Sequence, residues 1–273
     1  MPQFRGSKVT LDRILQRTSI ERWRSLRLLD TLLDDDDISE ICRVATALQE
    51  IVISSAVMTD RSMKNICALP HLLGLQLRNV PNVTDTGISY VAHARRLLEV
   101  YLENTGMTNL GIGAIADLPE LWCLSVAHSA INDDGLLALK ASKNLSHIDL
   151  TDTEVCGDGL AVFANLSGLN LYAADCPIDD DALIAFVRLQ PDVVLLSLSG
   201  TRITDRSLDA LAQLRALSDL RIERTHVTDS GAMMLAGHEA LFMLYVGGTQ
   251  ITRAAVDALK RESPNEMIIY TTV

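Results

Sequence analysis

The chain has 273 residues, 48% of them hydrophobic, with 15 Gly, 7 Pro and a formal net charge of −11. It is long enough for a large core of one or two domains, and too acidic to carry a broad basic face for nucleic acid. No apolar run approaches about 18 residues, so no segment is expected to span a membrane.

The N-terminus comes first. Residues 1–27 hold seven Arg/Lys against Asp12 and Glu21, which places +5 there and −16 on the remainder. Basic residues without an apolar stretch make no secretory signal. The five cysteines are odd in number and lack CxxC spacing, which points to a reducing compartment. The expected location is cytoplasmic, or exported without a Sec-type signal. In "KVTLDRILQRTSIERWRS" (8–25), Leu11, Ile14, Leu15 and Ile20 fall on a helical pattern, with Thr10 as N-cap. A helical cap over 1–25 is expected. A basic membrane anchor is the competing use of such a stripe.

"LRLLDTLLDDDDISEI" (26–41) follows, with four consecutive aspartates. They fit an acidic linker, a calcium loop or part of a fold. The alternating acids, Gly and closing Glu of a calcium loop are missing.

From here a period dominates. "LWCLSVAHSAINDDGLLALKAS" from Leu121 and "LSDLRIERTHVTDSGAMMLAGH" from Leu217 share one pattern. It is L-x-x-L-x-Φ-x-x-T/S-x-Φ-T/N-D-x-G-Φ-x-x-L, where Φ is apolar. The second leucine-type position falls at Ile51, Leu75, Val100, Leu124, Ile148, near Leu171, then Leu196, Leu220, Leu244 and Ile268. The L-x-L core predicts a strand with alternate residues inward. The Thr of "TD" sits where a helix N-cap belongs, and its Asp falls in the first turn. Each unit leaves its flanks unburied, so neighbours must stack. On this frame the four aspartates become a degenerate first repeat, with Asp34-Asp35 at the "TD" site and Ile38 and Ile41 starting the helix stripe. A bulge is expected in "LSGLNLYAADCPIDDDAL" (166–183), where the frame starts at Leu169 or Leu171.

The L-x-x-L-x-L segments and TDxGL turns resemble the leucine-rich repeat family over residues 26–273. The short bacterial-type and F-box-adaptor repeats are the nearest in kind, although residues 1–40 show no F-box. The family's Asn after the strand is replaced by Thr105, Thr153, Thr201, Thr225 and Thr249. The resemblance implies an α/β solenoid, or horseshoe: a parallel β-sheet on the concave face, short helices on the convex face, about ten repeats, and a final strand.

Two motifs have duller explanations. "LGIGAIA" (110–116) contains G-x-G-x-x-A, but the frame makes Gly111 an ordinary helix-start glycine and Gly113 a helix residue. No cofactor is expected. Cys123, His147 and Asp149 share a face and form a conceivable nucleophile set. An open sheet, however, offers no oxyanion hole. His128, His147 and Asp152 are a weak metal set for lack of supporting ligands. Neither catalysis nor a metal is expected.

The concave face is the expected binding surface, through Glu99, Tyr101, Glu103, Ser125, His128, His147, Asp149, Asp152, Tyr172, Asp219, Arg221 and Tyr245. Tyrosine is favoured at interfaces, and the acidic residues favour a partner with a basic surface. The expected function is a non-catalytic protein–protein interaction module of effector, adaptor or inhibitor/immunity type. The alternative is a scaffold working through its convex face or C-terminal edge. That edge, Met267–Thr271, is an apolar strand expected to pair with a second copy of the chain or to be covered by a partner.

Overall fold

Every repeat opens with a strand whose alternate residues turn inward, and the stacking of those residues builds the core. The computed structural model describes residues 2–17, 19–55 and 57–271. Two units are distinguished: Met1–Ile131 with Ala138–Leu145, and Asn132–Leu137 with Ser146–Val273.

The first unit holds β1 (Gln3–Arg5), β2 (Ser25–Leu29), β3 (Glu50–Ser54), β4 (Gly74–Thr84), β5 (Glu99–Gly106) and β6 (Cys123–Ser125). Each strand pairs in parallel with the next. Leu26, Ile51, Leu75, Val100 and Leu124 form one fully buried column. The second unit holds β7 (His147–Asp149), β8 (Asn170–Tyr172), β9 (Leu195–Ser197), β10 (Asp219–Arg221), β11 (Met243–Tyr245) and β12 (Ile268–Tyr270), again parallel in chain order. Its column is Ile148, Leu171, Leu196, Leu220, Leu244 and Ile269.

Two expectations need correction. The last inward residue is Ile269, which aligns with Leu244; Ile268 aligns with Met243 and lies 40% exposed. The final step is therefore 25 residues rather than 24, and a slip of one residue exchanges the two faces of the strand. The bulge expected in 166–183 is also not found. Leu171 pairs in register with Ile148 and Leu196, and the irregularity lies instead between Val80 and Thr84 where β4 meets β5.

At the N-terminus Thr10 caps a helix as expected, accepting from the Arg13 N–H, but that helix stops at Leu15. Ile20 belongs to a separate turn, Ile20–Arg22. The stripe of Leu11, Ile14 and Leu15 covers little more than one turn. A strand, β1, precedes it and pairs with β2.

Within or just after each strand from β2 to β11 the backbone swings through the left-handed region. Asp30, Ser55, Asn79, Asn104 and His128 do so in the first unit; Asp152, Asp175, Gly200, Arg224 and Gly248 do so in the second. Asn, Asp and Gly tolerate this conformation best. The following threonines lock the turn: Thr153, Thr201, Thr225 and Thr249 each donate to the carbonyl three residues back.

The "TD" aspartates act between repeats. The carboxylate of Asp35 accepts from the N–H and hydroxyl of Thr59, Asp60 does the same for Thr84, and Asp85 for Thr108, with N–H contacts of 2.6–2.9 Å. The second unit repeats this with Asp180 and Thr204, Asp205 and Thr228, and Asp229 and Thr252. Each threonine thus caps its own helix while its N–H and hydroxyl satisfy the carboxylate one repeat behind. The fourth residue of the motif sits against that carboxylate. A Cβ on Gly87 or Gly231 would collide with Asp60 or Asp205, respectively. Where serine replaces the glycine, at Ser62 and Ser207, its hydroxyl donates to Asp35 or Asp180.

The four-aspartate run follows the same rules. Asp34 is the N-cap of the helix Asp35–Val44, accepting from the N–H groups of Asp36 and Asp37, while Asp37 accepts from the Asp34 N–H. This capping box offsets the crowding of like charges, and Asp35 begins the ladder. A second correspondence emerges across the chain. The helices Asp35–Val44 and Asp60–Ile66 recur at Asp180–Leu189 and Asp205–Leu211, 145 residues on, with the same lengths of ten and seven. Even the ion pairs Asp36–Arg61 and Asp181–Arg206 are duplicated.

Candidate protein-binding faces

The outward side chains of a parallel sheet line up in rows, because paired residues point the same way. On the first unit one row is Arg27, Val52, Gln76, Tyr101 and Ser125. The flanking row is Ser25, Glu50, Gly74, Glu99 and Cys123. Glu103 bonds Arg78 at 3.1 Å and accepts from the Ser125 hydroxyl at 3.5 Å. Ser125 is itself buried. The Cys123 thiol, also buried, donates to the Tyr101 phenol at 3.1 Å. Burial pushes the Tyr101 phenol well above its ordinary value, and the Cys123 contact adds to this. Glu99 and Tyr101 remain half-exposed, and His128 occupies an exposed left-handed turn position.

On the second unit the corresponding rows are Asp149, Tyr172, Ser197, Arg221, Tyr245 and Tyr270, beside His147, Asn170, Leu195, Asp219, Met243 and Ile268. His147 contacts Ser146 at 3.1 Å and Asn170 at 2.8 Å. Asp149 accepts from the Thr151 N–H at 2.9 Å, and Asp152 is exposed in its turn.

Arg221 organises the centre of this row. The buried Asp219 holds it by two contacts, at 3.1 and 3.2 Å. This pairing, first of all, raises the guanidinium further above its ordinary value. The guanidinium carbon lies 4.9 Å from the Tyr245 ring centroid and 5.8 Å from that of Tyr172. Tyr245 then stacks on Tyr270, with centroids 4.3 Å apart and planes 10° from parallel. Burial and the Tyr270 neighbour raise the Tyr245 phenol. One turn further along, Arg224 reaches across Gly200 to both oxygens of Asp175, at 2.8 and 2.9 Å.

Tyr270 is the member of the outward row that sequence pattern alone does not reveal. The one-residue slip at β12 had turned it inward. The signal that would have found it is its alignment with Tyr245 over a 25-residue step. Charge is also distributed in a way that the total conceals. The first unit holds 15 Lys/Arg and 15 Asp/Glu, whereas the second holds 9 and 20, so the whole net charge of −11 belongs to the second.

Among the described residues no group of three or more His, Cys, Asp or Glu is placed to hold a metal ion. Nor is any helix among them long and apolar enough to cross a membrane.

No protein-family model matches this chain, and no curated protein sequence does. Solved structures do. An internalin (inlF) from Listeria monocytogenes matches with a TM-score of 0.63 at 15% identity, over 96% of this chain and 93% of that one. Internalin C2 from the same organism matches at 0.51 and 20% identity, over 78% and 84%. The yeast Rad7–Elc1 complex contains a chain matching at 0.59 and 15% identity, over 98% of this chain and 79% of that one. These neighbours are leucine-rich-repeat proteins. Together with the parallel strands and capped short helices, they show that this chain has the leucine-rich-repeat solenoid fold.

Proposed function

We propose that this leucine-rich-repeat chain is a non-catalytic protein-interaction module that binds its partner through the outward rows of its strands. The observation that carries this is the tyrosine content of those rows. Tyr101, Tyr172, Tyr245 and Tyr270 all occupy the same strand position, and neighbouring side chains hold them in place. Tyrosines that gain no core burial and are already ordered lose little entropy on binding. The yeast neighbour, solved as a Rad7 and Elc1 complex, supports a protein as the partner. Binding itself is then the output, as in an adaptor or an inhibitor. The acidic second unit favours a basic partner surface, with affinity falling above about 0.5 M salt.

The test is capture of the partner from native-host extract with wild-type chain and with Tyr101→Ala and Tyr172→Ala. Loss of capture is expected, and undiminished capture by both variants sinks the reading. A second reading places the contact on the helical side. It rests on Leu110, 82% exposed on the helix Asn109–Ala116. Leu110→Glu abolishes capture under that reading and leaves it intact under the first.

A further inference from the structure

We propose that the strand-entry edge of the first unit is a second docking surface, one that takes an acidic, leucine-bearing segment of another protein. It lies apart from the outward rows and uses none of their residues.

The edge carries an apolar row. Leu73, Leu98 and Trp122 stand immediately before β4, β5 and β6. The Leu98 N–H donates to the Leu73 carbonyl at 2.8 Å, and the Trp122 N–H to the Leu98 carbonyl at 3.0 Å, so the three stay in register. Paired strands lie about 4.8 Å apart, which makes the row continuous. Its members alternate with the core column, yet each is half-exposed. Gln49 holds the equivalent place before β3 and ends the row. Tryptophan is among the residue types most enriched where protein interfaces gain their affinity.

Charge identifies what covers this row. The four segments at the edge, 64–73, 89–98, 114–122 and 138–145, hold five Lys/Arg against Asp117 and Glu120, which is +3 in a chain of −11. Arg95, Arg96 and Lys143 are exposed, and none of them pairs with a carboxylate among the described residues. Arg96 is held by the Pro70 carbonyl at 3.5 Å and the His71 ring at 3.4 Å, contacts that use one of its three guanidinium nitrogens. Asn144 donates to the Pro119 carbonyl at 2.8 Å, which brings Lys143 beside the segment that ends in Trp122. The opposite ends of the helices carry Asp35, Asp60 and Asp85, so the two edges of this unit differ in sign. The complement of the strand-entry edge is a segment whose leucines cover Leu98 and Trp122 while its carboxylates reach Arg95 and Lys143. A nucleic acid fits less well, because leucines offer no ring on which a base can stack.

Fluorescein-labelled dodecapeptides of repeated Glu-Glu-Leu, Lys-Lys-Leu or Glu-Glu-Ser provide the probes, read by anisotropy on the full chain at about 0.15 M NaCl, near physiological ionic strength. The Glu-Glu-Leu peptide is expected to bind, and the other two to bind at least about tenfold more weakly. Arg95→Glu/Lys143→Glu should weaken it about five- to tenfold, the scale of two exposed ion pairs. With Trp23→Phe as background, Trp122 is the remaining tryptophan, and unlabelled peptide should change its emission. No binding by the wild type, equal affinity for Lys-Lys-Leu, or binding that leaves Trp122 emission unchanged overturns the proposal. So does affinity that survives Arg95→Glu/Lys143→Glu, or tighter binding of a dodecathymidylate, which assigns the edge to nucleic acid. Should the double variant fail to fold, Arg95→Gln decides instead: a loss of about two- to threefold supports the site, and unchanged affinity removes it. Peptide binding that is lost with Tyr101→Ala belongs to the outward rows and also removes this edge. Undiminished partner capture by Tyr101→Ala and Tyr172→Ala sinks only the outward-row reading and leaves the edge standing.

Discussion

Asp35 holds Thr59 from one repeat behind, accepting from its N–H at 2.9 Å and from its hydroxyl at 2.7 Å. The contact fastens the start of the helix Asp60–Ile66 to the repeat before it. Asp35→Ala leaves those donors without an acceptor, at a cost of about 1–3 kcal/mol. Asp35→Asn keeps one acceptor oxygen and should lose less. Urea unfolding of the two variants beside wild type gives the ranking.

The same carboxylates predict acid sensitivity. Burial pushes the Asp35 and Asp180 carboxyls up, but hydrogen bonds from Ser62 and Thr59, and from Ser207 and Thr204, outweigh it and hold both below the ordinary 3.8. Between the folded and unfolded values the unfolded chain binds more protons. The stabilisation is therefore complete above pH 3.8 and is lost as the pH falls through the folded values. Denaturation midpoints followed downward from neutral pH should drop more steeply below that point in wild type than in Asp35→Asn/Asp180→Asn. Parallel curves would count against the assignment.

A matched pair of glycines tests the close approach of the ladder. Gly231→Ala puts a methyl into the Asp205 carboxylate and should destabilise by about 1–3 kcal/mol. Gly113, inside the helix Asn109–Ala116, has nothing within 4 Å of such a methyl. Gly113→Ala should stabilise by about 0.5–1 kcal/mol through helix propensity. Thermal melts that order the two variants the other way would refute this account of the TDxG glycine.

The register of β12 is open to a direct check. Ile269, 8% exposed, lies in the core column, and Ile268 faces outward. Ile269→Lys should cost about 2–5 kcal/mol, whereas Ile268→Lys should stay within about 0.5 kcal/mol of wild type. A reversed order would restore the register that a 24-residue step implies.

The period was legible because the inward leucines of a solenoid recur at nearly fixed spacing, and every strand column except its last member could be placed from it. The helix starts were equally plain, since Thr10 and the "TD" threonines announce themselves as caps. What sequence could not show was any contact whose meaning lies between repeats. Asp60 looks like an ordinary first-turn acid until Thr84, 24 residues on, is seen to hold its carboxylate. The outward rows were half legible. Tyr101, Tyr172 and Tyr245 follow from alternation alone, but Ser125 and Asp219, expected at the surface, are buried, and Asp219 holds Arg221. Tyr270 was lost to one extra residue.

The ladder also has a gap. Gly157, just before the short helical turn Asp158–Phe163, stands where the other repeats carry the ladder carboxylate. The next cap is Asp179, which accepts from the Ala182 N–H of its own helix. A glycine has no acceptor to offer, and an aspartate cap has no hydroxyl to donate, so this step lacks the bond that threonine supplies elsewhere. Cohesion along a repeat protein is a sum of nearest-neighbour links, so a missing link marks a seam. Amide exchange should find the segment Asp158–Phe163 opening at lower free energy than the laddered helices after it. The Asp175–Arg224 clasp, spanning two repeats just beyond that point, then limits how far the opening spreads.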